Sequence, residues 1–153
     1  GEDISDKRLQ KLAQKFSEMV VDEIVKVPFV SGAKHFIEEN YKRYLLFISS
    51  ATPSEELNFI CRQRKITKYF KGIFGAQDSK SKHISTIIKN WSLNKREIVF
   101  IGDSLSDLDA AKTQNLTFIA RISSVSDSLL KETYKLNDLN KLEKIISIIN
   151  KET

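Results

Sequence analysis

Apolar residues along this chain switch between two spacings, and the switches mark its elements. Leu9, Leu12, Ala13, Phe16, Met19, Val20 and Ile24 recur every three or four residues, which predicts an amphipathic helix over 6–25. Ser31-Gly32 opens a short helix reaching Asn40, with Phe36 and Ile37 turned inward. The run Tyr44-Leu45-Leu46-Phe47-Ile48 is apolar throughout and too short for a helix, so it predicts a buried strand that ends in Ser49-Ser50-Ala51. Thr52-Pro53-Ser54-Glu55 then has the form of a capping box, with Thr52 as N-cap and Pro53 at the first helical position. Leu57, Ile60 and Cys61 form the inward face of the helix it opens.

The second half continues the alternation. Gly72-Ile73-Phe74-Gly75-Ala76 predicts a short strand, and Ile84, Ile87, Ile88 and Trp91 a helix. Ile98-Val99-Phe100-Ile101 is an unbroken β-branched and aromatic run, hence a buried strand, and it stops at Gly102-Asp103. Leu105, Leu108, Ala110 and Ala111 predict a helix, Leu116–Ala120 a strand, and Leu142, Ile145, Ile146 and Ile149 a last helix. A weaker apolar signal lies at Tyr134–Leu136. Strands alternating with helices predict an α/β fold with a parallel sheet. In such sheets ligands sit beyond the carboxyl ends of the strands, so the polar residues after each apolar run are the ones to question.

Composition narrows the class. With 153 residues, 41% apolar and 29% charged, the chain suits one globular domain and excludes a disordered or fibrous protein. A single cysteine, Cys61, excludes an internal disulfide framework and a multi-cysteine zinc site, and suits a reducing, cytoplasmic setting. No apolar run approaches the ~18 residues of a membrane span, and no signal peptide is visible, so no membrane partner is expected. The net charge of +5 comes from lysines and arginines scattered over several segments without interleaved aromatics. They read as solvated faces rather than a nucleic-acid interface.

Three polar clusters follow apolar runs. Gly102-Asp103-Ser104-Leu105-Ser106-Asp107 sets two carboxylates four residues apart at a strand end. Such oxygen donors suit a hard cation such as Mg²⁺, and the same segment could equally cap a helix. Ser49-Ser50 precedes a helix N-terminus, where a hydroxyl and backbone N–H groups can receive phosphate. Lys80, with Lys82 two residues on, offers a point charge for phosphate.

Taken in this order, Ser, Lys, then Gly-Asp-x-x-x-Asp resembles three motifs of the haloacid dehalogenase superfamily. The strongest match is the stretch Ile98 to Ala111, a hydrophobic strand, Gly102-Asp103, three residues, Asp107 and a helix rich in small residues. Ser50-Ala51-Thr52-Pro53 looks like the second motif of phosphoglycolate-phosphatase-like members, and Gly75 followed by Lys80 and His83-Ile84 like the third. Lys80 lies 23 residues before Asp103 and Lys82 lies 21, and the family spacing favours Lys80.

The resemblance implies a Rossmannoid parallel sheet flanked by helices. It implies a Mg²⁺-dependent phosphohydrolase acting on a small phosphate ester, and Lys80 with Gly-Asp-x-x-x-Asp favours this over metal-free dehalogenation. It also implies roles. Asp103 ligates Mg²⁺, and Asp107 supports the metal site. Ser50, with Ser49 as fallback, and the neighbouring Ala51 bind the phosphoryl group. Lys80 neutralises phosphate and the nucleophile's carboxylate. Residues 1–27 resemble the end of a helical cap and 28–153 the core.

The family's first motif, Asp-x-Asp after a strand near the chain start, has no counterpart. Asp3-Ile4-Ser5-Asp6 has the wrong spacing, and Asp22 is followed by Ile24 within a helical pattern. The chain is therefore expected to lack the first strand and to be inactive as it stands. A shortened piece, a degenerate domain that binds a phosphorylated ligand or a partner protein, and a strand supplied by another chain remain open, as does the oligomeric state. In the family that strand is central, so two strand edges are expected to face each other unpaired.

Overall fold

The computed structural model describes residues 6–124 and 128–152. Helices α1 (Asp6–Lys26) and α2 (Ala33–Asn40) lead into strand β1 (Phe47–Ser49). Then follow α3 (Ser54–Gln63), β2 (Gly72–Phe74), α4 (Lys80–Trp91), β3 (Val99–Gly102), α5 (Leu105–Gln114), β4 (Thr117–Arg121), β5 (Tyr134–Leu136) and α6 (Leu142–Glu152). All pairings are parallel, as the alternation predicts, but they fall into two sheets. β1 pairs with β2, from Phe47 opposite Gly72 to Ser49 opposite Phe74. β3, β4 and β5 form the other sheet, with Ile119 of β4 opposite Ile101 of β3 and Tyr134 of β5.

Helices cover both faces of the larger sheet. Phe118, Ile119 and Ala120 are buried in succession, which a strand shows only when neither face meets water. On one side, Phe118 and Ala120 pack with Ile84 of α4 and with Leu108 and Ala111 of α5. On the other, Ile119 packs with Leu142, Ile146 and Ile149 of α6. The smaller sheet has its own cluster, in which Ile48 and Ile73 lie against Leu57 and Cys61 of α3 and against Ile66. Between the two sheets lies a cavity of about 360 Å³, bordered by residues of both β1 and β3. The expected pair of facing strand edges is therefore present.

Two local expectations are corrected. The strand starting at Tyr44 begins only at Phe47, because Tyr44 N–H still donates to Asn40 O at the end of α2 (2.9 Å). The capping box at Thr52 does not form. Pro53 occupies the N-cap, with no side-chain cap bond, and the helix starts at Ser54. Thr52 is held elsewhere, its N–H donating to Ser50 Oγ, its hydroxyl accepting from the Ser50 hydroxyl and its carbonyl accepting from Ala76 N–H (2.9 Å).

Helix α1 has the predicted length and periodicity, yet most of its apolar stripe stays in solvent. Leu12 is 55% exposed, Phe16 69% and Met19 60%, while Val21 is buried. α1 touches α3.

Cys61, on the inner face of α3, is 2% exposed, and burial pushes its thiol pKa up while the charge of Arg64 opposes this. Because the thiolate is the reactive form, native protein at pH 8 should leave Cys61 unmodified by Ellman's reagent. Full reaction should appear on unfolding in urea, and rapid labelling of the folded chain would contradict the burial.

Candidate active site at the strand ends

The carboxyl ends of β1, β2 and β3 meet on one side of the molecule, tied by four contacts. Ser50 N–H donates to Phe74 O (2.9 Å), and Ala76 N–H donates to Thr52 O (2.9 Å). Ser49 Oγ lies 2.8 Å from His83 Nδ1, which joins the end of β1 to α4. Lys80 Nζ donates to Asp107 Oδ1 (2.6 Å), which joins the start of α4 to α5. Lys80, His83, Ile84 and Ile87 fall at i, i+3, i+4 and i+7, so one face of α4 carries the cation, the imidazole and the two core isoleucines.

Asp107 is the best-anchored polar group at the site. Its side chain is 7% exposed and that of Lys80 17%. Asp103 N–H (3.3 Å), Ser104 N–H (3.1 Å) and the Ser104 hydroxyl (2.6 Å) all donate to Oδ2, while Oδ1 takes Lys80. Ser104 Oγ in turn accepts from Asp107 N–H (3.3 Å), which closes a capping box on α5. The segment thus caps the helix, and the same carboxylate also pairs with Lys80. The positive end of α5 adds to the attraction. A buried ion pair stabilises when further hydrogen bonds satisfy its charged groups, and here Oδ2 accepts three of them. Gly102 makes the seat possible, since a Cβ there would fall 2.7 Å from Asp107 Oδ2 and closer still to the carbons of that side chain.

The other sequence candidates lie around this pair. Asp103 is exposed, and its carboxylate has no hydrogen-bond partner among the described residues. Ser50 Oγ donates to Thr52 Oγ1 (3.0 Å) and accepts from Thr52 N–H (3.1 Å), forming a polar turn with exposed Ala51 between them. Among the described residues no hydrogen bond links Ser50 to Lys80 or Asp107. Lys82 is exposed, and its backbone N–H completes the Ser79 cap of α4 (3.2 Å). Of the two lysines, Lys80 is therefore the one brought to Asp107.

Asp103 and Asp107 are hard oxygen donors of the kind Mg²⁺ takes, one or two at a time with water and phosphate. Asp107 is engaged on both oxygens, so Asp103 is the carboxylate open to a cation. No cluster of three or more His, Cys, Asp or Glu forms among the described residues.

The family model for haloacid dehalogenase-like hydrolases matches residues 2–121. The chain belongs to that family. Its fold is similar to that of a predicted phosphoglycolate phosphatase of Haemophilus somnus (TM-score 0.78, 16% identity, covering 93% of this chain and 68% of that one). It is similar too to a haloacid dehalogenase-like hydrolase of Streptococcus pneumoniae (TM-score 0.72, 18% identity, 95% and 72% covered). A third match is a hydrolase of this superfamily from Bacillus subtilis, bound to magnesium (TM-score 0.76, 18% identity, 90% and 62% covered). The chain spans 59% to 72% of the length of eight solved structures that it matches. A search of curated proteins returned no match. No helix among the described residues is long and apolar enough to cross a membrane.

Two residues of this haloacid dehalogenase-like site lie within the motif stretches read from the sequence, which assigned them no role. Ser106 lies between the two carboxylates in sequence, and its Oγ accepts from Lys80 Nζ (3.2 Å) and meets Ser104 Oγ (2.9 Å). His83 is 3% exposed and holds Ser49. Its spacing of three from Lys80, on the face carrying Ile84 and Ile87, is the sequence signal for that role.

Proposed function

We propose that these strand ends form the phosphate- and metal-handling part of a Mg²⁺-dependent phosphohydrolase acting on a small phosphate ester. One observation carries the reading. The Lys80 ammonium, brought from a distant segment, is seated on Asp107 beside the open carboxylate of Asp103. In this reading Lys80 offsets the charge of a phosphate, and Ser50 Oγ with the backbone around Ala51 hydrogen-bonds its oxygens. Asp103 would hold Mg²⁺, and Asp107 would fix Lys80 and the loop that presents Asp103. The metal would neutralise charge on the transferring group, and charge stabilisation with positioning is what phosphoryl transfer chiefly requires.

The 153 residues contain one Asp-x-Asp, Asp107-Leu108-Asp109, and it lies in α5 rather than after a strand. Asp107 is already committed to Lys80 and the cap. The chain should therefore bind phosphate without turning over an ester. The check is twofold. p-Nitrophenyl phosphate with Mg²⁺ should be hydrolysed no faster than without protein. Inorganic phosphate should bind by calorimetry, Lys80→Ala weakening it by about tenfold, or about 1.4 kcal/mol. Mg²⁺-dependent turnover by this chain would overturn the expected inactivity. Phosphate binding indifferent to Lys80 would overturn the site.

A further inference from the structure

His83 is a polar ring in apolar surroundings. It is 3% exposed, shares its helix face with Ile84 and Ile87, and lies 5.5 Å from the Phe74 ring, centroid to centroid. Its one side-chain hydrogen bond among the described residues joins Nδ1 to Ser49 Oγ (2.8 Å). Nothing among those residues bonds to Nε2, so no second contact fixes which ring nitrogen carries the proton.

The direction of this bond decides what Ser49 can offer. A hydroxyl has one proton and two lone pairs. When Nδ1 is bare, Ser49 donates to it and turns only lone pairs outward, which repel an anion. When Nδ1 carries a proton, it donates to Ser49 Oγ, and the hydroxyl proton is released for another acceptor. Ser50 has no such choice, because its Oγ donates to Thr52 Oγ1 and accepts from Thr52 N–H. Lys80 lies one turn before His83 on α4, and side chains so spaced are neighbours on a helix surface. The ammonium and the Ser49 hydroxyl thus flank one stretch of α4.

We propose that His83 is a positioning residue of the phosphate site. With a proton on Nδ1 it holds Ser49 Oγ as an acceptor, and so directs the Ser49 hydroxyl proton to an oxygen of a phosphate bound at Lys80. The proposal rests on the phosphate-handling reading of these strand ends. The protons balance. Ser49 keeps its own and only turns it, while Nδ1 takes one from solvent and Nε2 returns one. Phosphate binding and the Nδ1–H form therefore favour each other, by the same factor in both directions.

The test uses the 153-residue chain and inorganic phosphate at fixed neutral pH. The chain has two histidines, so exposed His35 is the internal reference. Nitrogen-15 NMR of the imidazoles should show a proton on Nδ1 of His83 in the phosphate complex, with the His35 signals unmoved. By calorimetry, Ser49→Ala should weaken phosphate about tenfold and His83→Leu about fivefold. His83→Asn, whose amide N–H replaces Nδ1–H, should bind within about twofold of the parent chain. In the Ser49→Ala background His83→Leu should change affinity less than about twofold, because its effect passes through Ser49. A complex with the His83 proton on Nε2 alone, additive effects of the two substitutions, or parental affinity in His83→Leu would each overturn the proposal. Where a variant fails to fold, the nitrogen spectrum of the parent chain still decides it. Phosphate binding that needs Lys80 but not His83 would overturn this proposal alone. Absence of saturable binding, or binding indifferent to Lys80→Ala, would overturn the phosphate-handling reading as well.

Discussion

Ile119→Ala should lower the unfolding free energy by about 3–4 kcal/mol, the range for truncating a fully enclosed isoleucine. Ile119 is 0% exposed at the middle of β4. Strands flank it on both sides, Ile101 opposite it in β3 and Tyr134 in β5, and its side chain lies under Leu142, Ile146 and Ile149. A strand paired on two sides cannot shift to close the space left by three missing carbons, so little of the void should collapse. Ile119→Val removes one methylene and should cost about 1 kcal/mol. Equilibrium urea unfolding followed by far-UV circular dichroism measures both, with an unchanged dependence on urea concentration as the control. A loss below about 1 kcal/mol for Ile119→Ala would show that α6 settles onto the sheet and that the packing is looser than the geometry indicates.

The sequence made Ile119 legible as core and left its neighbours across the sheet unassigned. Runs such as Ile98–Ile101 and Phe118–Ala120 are apolar at successive residues, and only strands covered on both faces require that, so the parallel α/β class followed from pattern alone. What pattern cannot supply is the behaviour of an amphipathic stripe once made. Leu12, Phe16 and Met19 of α1 have helical spacing as regular as that of Leu142, Ile145, Ile146 and Ile149 of α6, yet they remain in solvent because α1 packs only lightly on the rest. Periodicity states which face is apolar and says nothing of what meets it. The site divides in the same way. Gly102-Asp103 and Asp107 stood out by their spacing, and Lys80 by its order in the chain. Ser106 and His83 lay inside the same motif stretches without a role, since a serine in a polar loop and a histidine in a helix acquire one only through partners about 25 to 35 residues away in sequence.

Gly102→Ala should cost about 3 kcal/mol, for a reason separate from backbone freedom, because Gly102 is not among the residues with positive φ. Any Cβ at this position runs into the Asp107 side chain, with Oδ2 only 2.7 Å away. A contact that short forces one partner to move, and overpacking of this kind typically costs about 1–3 kcal/mol by itself. If Asp107 yields, its bonds from Asp103 N–H, Ser104 N–H, the Ser104 hydroxyl and Lys80 Nζ weaken together. A double-mutant cycle with Lys80→Met separates this from a backbone shift that leaves the carboxylate seated. In the parent chain Lys80→Met should cost about 1–2 kcal/mol, less than a fully buried pair would, because Asp107 keeps three donors and the site borders solvent. In the Gly102→Ala background, where the carboxylate has already left the ammonium, it should cost no more than about 0.5 kcal/mol. A coupling of about 1 kcal/mol would establish that the glycine before Asp103 serves to seat Asp107 against Lys80. Strict additivity would place the strain in the β3–α5 backbone instead, and the phosphate-binding test on Gly102→Ala would then show affinity close to that of the parent chain.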